Sequence, residues 1–331
     1  MAELTIIMPT WNKEAYVGAA LDSIFAQRTN RPFRILVADD CSTDGTLAVV
    51  ARYAEAHPGV IEVLPSERNQ KLFRNIVRAY AICRTPYFCV LDPDDFWTDE
   101  GHVERALSFL EAHPDYTIYT SDTVREEPDG TRSGFGYPTE PVESDFTDYL
   151  AGRAVLGFTT TSVYRNVVFA KGLPARVASP DSLSMERTMR GDSFRNFLHL
   201  REGKAHYEPR VEACYRITAE GIYQGLPVFE RDVMNARFFL EMWRFDEGRS
   251  PELLLRSYRF FRSVDKSAYA SLTAADFPET RLLPVLKELA DLAAAYDGNR
   301  EALDAAIGAS LPWRHRLRFL AYRKLRRKNL I

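Results

Sequence analysis

The chain has 331 residues, enough for one large domain or two modest ones at about 100–200 residues each. Its 46% hydrophobic and 27% charged composition, with 17 Gly, 18 Pro and 4 Cys, excludes a disordered, collagen-like or disulfide-dense protein. The formal charge of −3 conceals an asymmetry, because residues 314–328 hold eight basic residues and no acid, leaving −11 for the rest.

In chain order, residues 4–8 read as a short buried strand, and 12–26 as a helix with Tyr16, Val17, Ala20, Leu21, Ile24 and Phe25 at helical spacing. A second apolar run, 33–38, ends abruptly at Asp39-Asp40; beyond Ser42-Thr43-Asp44-Gly45 a helical pattern covers 46–56. Residues 60–64 and 87–91 are further strands, with a helix over 71–82 between them. Continuous apolar strands separated by helices predict an α/β fold with a mostly parallel sheet covered on both faces. Residues 125–141, rich in Gly, Pro and acids, read as a loop or a two-strand excursion. The run VLGFTTTSVY at 155–164 has the β-branched and aromatic content of a strand. A helix is expected from about Asp192-Ser193 to 201, with one of those two residues near its N-cap, followed by a strand over 205–216. From about 228 onward the pattern is helical, broken near Pro251 and Pro284.

The opening MAELTIIMPTWNKEAY has no basic leader before its apolar run, and no stretch approaches the roughly 18 apolar residues of a membrane span. A cytoplasmic chain, peripheral at most on the inner face of a membrane, is expected. Cys41, Cys83, Cys89 and Cys214 lack CxxC spacing, which points to reduced thiols rather than zinc or disulfides.

Ligands of such sheets bind beyond the carboxyl ends of the strands. That rule picks out Pro9-Thr10-Trp11-Asn12, Asp39-Asp40 and Asp92-Pro93-Asp94-Asp95, so acids and an aromatic collect at one rim. No GxGxxG or GxxxxGK[ST] loop is present, which argues against dinucleotide oxidoreductases and P-loop NTPases. Carboxylates after a strand suit Mg2+ or Mn2+ when phosphate oxygens complete the shell, although aspartates also cap turns. Trp11 offers a flat face on which a base can stack, although a lone tryptophan more often packs a core.

The segments TIIMPTWN, ILVADDCSTDGT, RNQKLFRN and YFCVLDPDDFW, in this order, resemble the family 2 glycosyltransferases of GT-A fold, well over about 4–110 and weakly to about 218. The resemblance implies a Rossmann-like domain over 1–225, with a nucleotide-binding half (1–115) and an acceptor half (116–225), and a helical region over 226–331 ending in a basic amphipathic tail at 313–331. It places Pro9, Thr10 and Trp11 around the nucleoside, Asp39 on a uracil-like base, and Asn69 and Arg74 in the stretch closing over the nucleotide. Asp92 falls at the ribose or metal shell, Asp94 at the direct metal ligand, and Asp95 at the shell or the donor sugar. The catalytic base maps to Asp192, with Gly191 where the family often has Glu. Arg216 is kept, but Thr218 stands where a histidine is common, so no histidine ligand is assigned; 157–161 resembles the acceptor-side segment. No QxxRW element follows, a poor match to processive synthases.

The implied activity is inverting, metal-dependent transfer from a nucleotide-sugar, favouring a UDP-sugar, to a carbohydrate or lipid-linked acceptor in surface polysaccharide or glycolipid assembly, with Mn2+ or Mg2+ as cofactor. The tail, WRHRLRFLAYRKLRRKNLI, combines apolar and cationic residues as a membrane-surface helix would, and the acidic body disfavours nucleic acid. Two other readings stand beside this one: a catalytically inactive binding or scaffold protein, and a nucleotidyltransferase that makes the activated sugar.

Overall fold

Seven consecutive buried residues, LTIIMPT, form the central strand β1 (Leu4–Thr10). A strand without a polar face is stable only where both faces are covered. The computed structural model describes residues 2–178, 191–218, 226–272 and 279–310, and backbone contacts divide the chain into two units, Met1–Gly221 and Ile222–Ile331.

In the first unit β1 lies between β2 (Phe33–Asp39), which is followed outward by β3 (Ile61–Leu64), and β4 (Tyr87–Val90); all these pairings are parallel. The remaining strands are β5 (Phe96–Trp97), β6 (Tyr116–Glu126), β7 (Arg132–Gly134), β8 (Val142–Ser144), β9 (Val163–Arg165) and β10 (Lys204–Arg216). The sheet runs β3-β2-β1-β4-β9-β6-β10-β5, with β7 on β6 and β8 on β10. β9 enters antiparallel between β4 and β6, whereas β6 and β10 are parallel. This is a mixed, mostly parallel α/β architecture, as expected.

Helices α1 (Val17–Phe25), α2 (Thr46–Ala56), α3 (Leu72–Ile82) and α4 (His102–Ala112) flank it. Val17, Ala20, Leu21 and Ile24 of α1 join Val103, Ala106, Leu107 and Leu110 of α4 in one core with Leu4, Ile6, Met8, Ile35 and Val37. Each Val, Leu, Ile or Met among them contributes about 1.5–3 kcal/mol when fully buried, so the strand ends rest on a rigid base. On α3, Tyr80 stacks on Phe169 at 4.2 Å and meets Phe88 at 5.8 Å.

Two sequence expectations change in this unit. The first helix begins at Val17 rather than 12, because Asn12 has φ 49° and residues 11–16 build a loop. The run 155–164 is strand only from Val163; Thr159–Thr161 is a 3-10 turn. Its hydroxyls face inward, Thr160 Oγ1 donating to Asp95 and Thr161 Oγ1 to Ser121 O, which overrides the β propensity of the run. The sequence pattern does not disclose strand β6, on which the second half of the sheet is built, because its polar residues (Thr117, Thr120, Ser121, Thr123) disguise a buried strand. The excursion over 125–141 is the β6–β7 hairpin.

Further along come α5 (Phe146–Ala151), α6 (Ala175–Ala178) and α7 (Gly191–Leu200). β10 slips register against β6 between Glu208 and Val211, where Pro209 has no N–H to give to a ladder. Beyond the slip, Glu212 is fully buried and receives Ser121 Oγ and Arg105 Nε at 2.7 Å each, with His102 Nδ1 at 2.6 Å. That network ties β10 to α4 and β6.

The second unit contains α8 (Val228–Phe245), α9 (Pro251–Leu272), α10 (Glu279–Gly298) and α11 (Arg300–Ser310). Phe229, Val233, Ala236, Leu240, Leu254, Leu292, Tyr296 and Leu303 form its core. Pro251 opens α9, as a residue without N–H can at a first turn. Pro284 does not break α10; the helix runs through it, giving up the bond that the missing N–H would have made. No helix among the described residues is long and apolar enough to cross a membrane. The basic tail at 313–331, and the residues just before Gly191, lie outside the described residues.

Candidate active site

The loop after β1 is laced to the loop after β2. Asn12 N–H donates to Ser42 Oγ at 3.0 Å, and Thr43 N–H donates back to Asn12 Oδ1 at 2.8 Å. Lys13 N–H donates to Thr46 Oγ1 at 2.7 Å, and Glu14 N–H donates to Asp44 Oδ2 at 3.1 Å. Short polar side chains that bond neighbouring backbone hold such loops in one shape. Lys13 then reaches past β1 to the loop after β4, its Nζ 2.8 Å from Asp94 Oδ2. Three strand ends are thereby joined at one rim.

On that rim Pro9 and Thr10 are buried on β1, opposite Ala38 and Asp39 of β2. Trp11 is 51% exposed; it is not a core tryptophan. Asp39 is buried, with Oδ2 accepting Ser42 N–H at 3.1 Å and Oδ1 without a donor among the described residues. Asp40 has a positional task the sequence did not disclose: its oxygens accept the N–H groups of Gln70 at 2.7 Å and Lys71 at 2.9 Å. It thus holds the loop in which Asn69 lies, and Asn69 and Arg74 line one depression together with Arg68, Gln70 and Lys71.

At the end of β4, Asp92 and Asp94 are half-buried and Asp95 is buried. Burial, reinforced by Asp94, pushes the Asp92 carboxyl up to about 6. Asp95 is driven well above the usual range by burial and by Asp92 and Asp94. Its Oδ2 accepts Thr160 Oγ1 at 2.6 Å and its Oδ1 accepts Arg216 N–H at 3.0 Å. Asp95 therefore faces inward as a tie between the β4 turn, the 3-10 turn and the end of β10.

Asp192 is exposed in the first turn of α7, and its charge, like that of Arg195 on the same helix, acts on Asp92. Arg195 is fully buried, its Nη1 donating to Tyr80 Oη at 2.8 Å and its Nη2 3.5 Å from Thr159 Oγ1. Nearby phenols and Asp192 raise its pKa against burial. A cation in the apolar run Phe194, Phe197, Leu198 was the available signal for Arg195; for Lys13 it was only proximity to Trp11. A Cβ at Gly191 would sit in ordinary contact, 3.7 Å from Arg195 Nη1 and 3.9 Å from Ile76 Cγ2. Arg216 lies over the Phe96 ring at 4.4 Å.

The described residues bring no three His, Cys, Asp or Glu side chains together as a finished metal cage. Asp92 and Asp94 nevertheless fit a divalent cation, because two hard carboxylates at one turn suffice where diphosphate oxygens complete the shell.

In this mostly parallel sheet the strand-end loops gather an exposed tryptophan, a buried carboxylate with one undonated oxygen and paired aspartates, at the rim where such sheets bind their ligands. The model of the family described as Glycosyl transferase family 2 matches residues 5–170, half of the chain, and this chain belongs to that family. An uncharacterized protein of Mycobacterium tuberculosis is 27% identical over 225 residues, 67% of this chain and 61% of that protein; the chain thus spans under two thirds of the length of this relative. Among solved structures, Staphylococcus aureus TarS 1–349 in complex with UDP-GlcNAc matches with a TM-score of 0.61 at 17% identity, covering 92% of this chain and 84% of that one. A mannosyltransferase of Pyrobaculum calidifontis in complex with GDP-Man and Mn2+ matches with a TM-score of 0.50 at 17% identity, covering 92% and 86%.

Proposed function

We propose that this chain transfers a sugar from a nucleotide-sugar, a UDP-sugar in particular, to a hydroxyl of a carbohydrate or lipid-linked acceptor, inverting the anomeric centre. The observation that carries the reading is the meeting of three strand-end loops and the start of α7 around Asp92, with Lys13 Nζ 2.8 Å from Asp94 as the bridge between loops.

The half-exposed Trp11 ring supplies a stacking face for the base, and Asp39 Oδ1 supplies an acceptor that an imide N–H would satisfy. The UDP-GlcNAc of the TarS structure favours uridine, although the mannosyltransferase holds GDP-Man. Pro9, Thr10, Asn69 and Arg74 border the nucleotide. Asp94 and Asp92 would hold Mn2+ or Mg2+, which when bound supplies positive charge against a departing diphosphate. Asp192, exposed at the start of α7, takes the proton of the acceptor hydroxyl, which then attacks the anomeric carbon opposite the leaving group. A single displacement inverts the configuration. Asp95, held inward by Thr160 and Arg216, keeps the metal turn in place and does not itself meet the sugar.

The test is nucleoside diphosphate release by the full chain from UDP-, GDP- and dTDP-sugars with Mn2+, with the product anomer read by NMR. Asp192→Asn is expected to keep donor binding and to lose about 10²–10⁴ in turnover. Wild-type turnover in that variant removes Asp192 as the base. Donor binding without release under any acceptor identifies a binding protein instead, and formation of nucleotide-sugar from sugar phosphate and nucleoside triphosphate identifies a nucleotidyltransferase.

A further inference from the structure

Arg195 is 1% exposed, and its guanidinium makes no ion pair among the described residues. The head group meets hydroxyls and a ring instead. Nη1 donates to Tyr80 Oη at 2.8 Å, Nη2 lies 3.5 Å from Thr159 Oγ1, and the guanidinium carbon stands 5.7 Å from the centre of the Tyr164 ring. Nε finds no acceptor among the described residues.

Three effects oppose this arrangement. Burial strips water from the charge, no carboxylate among the described residues neutralises it, and its place under the start of a helix sets it against the positive end of the helix dipole. That place follows from Gly191, the first residue of α7. A Cβ there would sit 3.7 Å from Arg195 Nη1, so the side chain folds back beneath the turn that carries Asp192. An apolar side chain in the same run as Phe194, Phe197 and Leu198 would fill the space with none of these penalties.

The guanidinium supplies a planar fork of donors that no neutral side chain has, and the fork joins three elements. Tyr80 belongs to α3, whose first turn carries Arg74, and its ring is fixed by stacking on Phe169 at 4.2 Å. Thr159 belongs to the 3-10 turn whose next residue, Thr160, donates to Asp95. Asp192 lies three residues before Arg195 on α7. The elements that carry Arg74, the partner of Asp95, and Asp192 thus meet at one side chain.

We propose that Arg195 is a positioning residue for sugar transfer: through Tyr80 it holds the first turn of α7, and with it Asp192, in a fixed place against α3 and the turn at Thr159–Thr161. Buried as it is, Arg195 touches no substrate itself. The role rests on the transferase reading above, with Asp192 as the base, and extends it to the side chain that sets where the base stands.

Three variants test it. Tyr80→Phe removes the acceptor of the 2.8 Å bond and keeps the ring on Phe169. Arg195→Met removes the charge and keeps an unbranched chain, whereas Arg195→Lys keeps the charge and loses the fork. Circular dichroism checks each fold, and Tyr80→Phe carries the comparison should the Arg195 variants fail to fold. UDP release by the full chain from UDP-glucose and UDP-N-acetylglucosamine with Mn2+, water serving as acceptor, gives kcat and KM; calorimetry gives UDP affinity. Tyr80→Phe and Arg195→Met are expected to lose about tenfold or more in kcat with KM and UDP affinity within about twofold of wild type, and Arg195→Lys to regain part of the loss. On an Asp192→Asn background, Tyr80→Phe is expected to lower kcat no further, because a residue that acts only through Asp192 has nothing left to position.

The proposal is overturned if kcat holds in the folded variants, if UDP affinity falls in step with kcat, or if the loss from Tyr80→Phe persists in full beside Asp192→Asn. No release by the wild-type chain, or wild-type release by Asp192→Asn, removes the transferase reading or its base, and this role with it. Loss in Asp192→Asn with none in Tyr80→Phe removes this role alone.

Discussion

Trp11 and His199 show how one side chain can be placed against its own preference. An indole half in water, on a loop laced by Asn12 and Lys13, forgoes burial that it would gain in a core. A bound base returns that burial. Trp11→Ala is therefore expected to weaken UDP binding by about 1–3 kcal/mol, roughly 5- to 150-fold, in calorimetry; equal affinities would remove the stacking role. His199 on α7 is the opposite case. Its ring is fully buried among Phe88, Tyr164 and Phe169, with Nδ1 2.8 Å from Arg195 O and Nε2 unpartnered among the described residues. Burial pushes its pKa down to about 4. The unfolded chain binds a proton there below about pH 6.5, and the folded chain refuses it until about 4, so this group makes stability fall as pH drops through that window. Urea unfolding between pH 7.5 and 4 is expected to show a loss of up to roughly 3 kcal/mol from this source, absent in His199→Leu. Identical pH slopes in the two proteins would contradict it.

Among the elements, the turn over residues 157–161 decides where the two halves of the sheet edge meet. Gly157 has φ +54°, and a Cβ there would overlap the Thr120 hydroxyl and approach Ser121 O to 3.0 Å. Only glycine lets this backbone lie so close to β6. The close approach in turn delivers Thr160 to Asp95 and Thr159 to Arg195. Gly157→Ala is expected to cost about 1–3 kcal/mol in denaturant unfolding, and to reduce turnover more than UDP affinity, because the displaced turn supports the α7 side of the site. A variant with wild-type stability and turnover would show that the turn tolerates a side chain. The β propensity of VLGFTTTSVY misdirects here for the same reason: its hydroxyls find buried partners in the turn, and satisfied buried polar groups outweigh a preference worth at most about 1 kcal/mol.

For the whole molecule, charge is the property that a local view misses. Eight cations within residues 314–328 follow a body carrying −11. A cationic segment interleaved with Trp313, Leu317, Phe319, Leu320, Tyr322 and Leu325 suits an anionic lipid surface, at about 1 kcal/mol per basic residue near it. The full chain is expected to float with phosphatidylserine-containing liposomes at low salt and a 1–312 chain to remain below; equal, negligible flotation would leave the tail to some other contact.

The parallel half of the sheet was legible in the sequence because strands covered on both faces are largely apolar, and the cores of Leu4–Thr10, Phe33–Asp39 and Tyr87–Val90 are. The acids at the ends of those strands were legible with them, since the chain has to turn where the apolar run stops. Strand β6 was not, because a strand rich in Thr and Ser is buried only once its hydroxyls have partners on other segments. Nor could the chain order show that Lys13 bridges to Asp94, that Asp40 holds residues 70–71, or that Asp95 faces inward while Asp92 and Asp94 do not. These assignments depend on which polar group meets which across 30 to 120 residues, and tertiary packing decides that, because a buried donor or acceptor takes whatever partner the fold brings within about 3 Å.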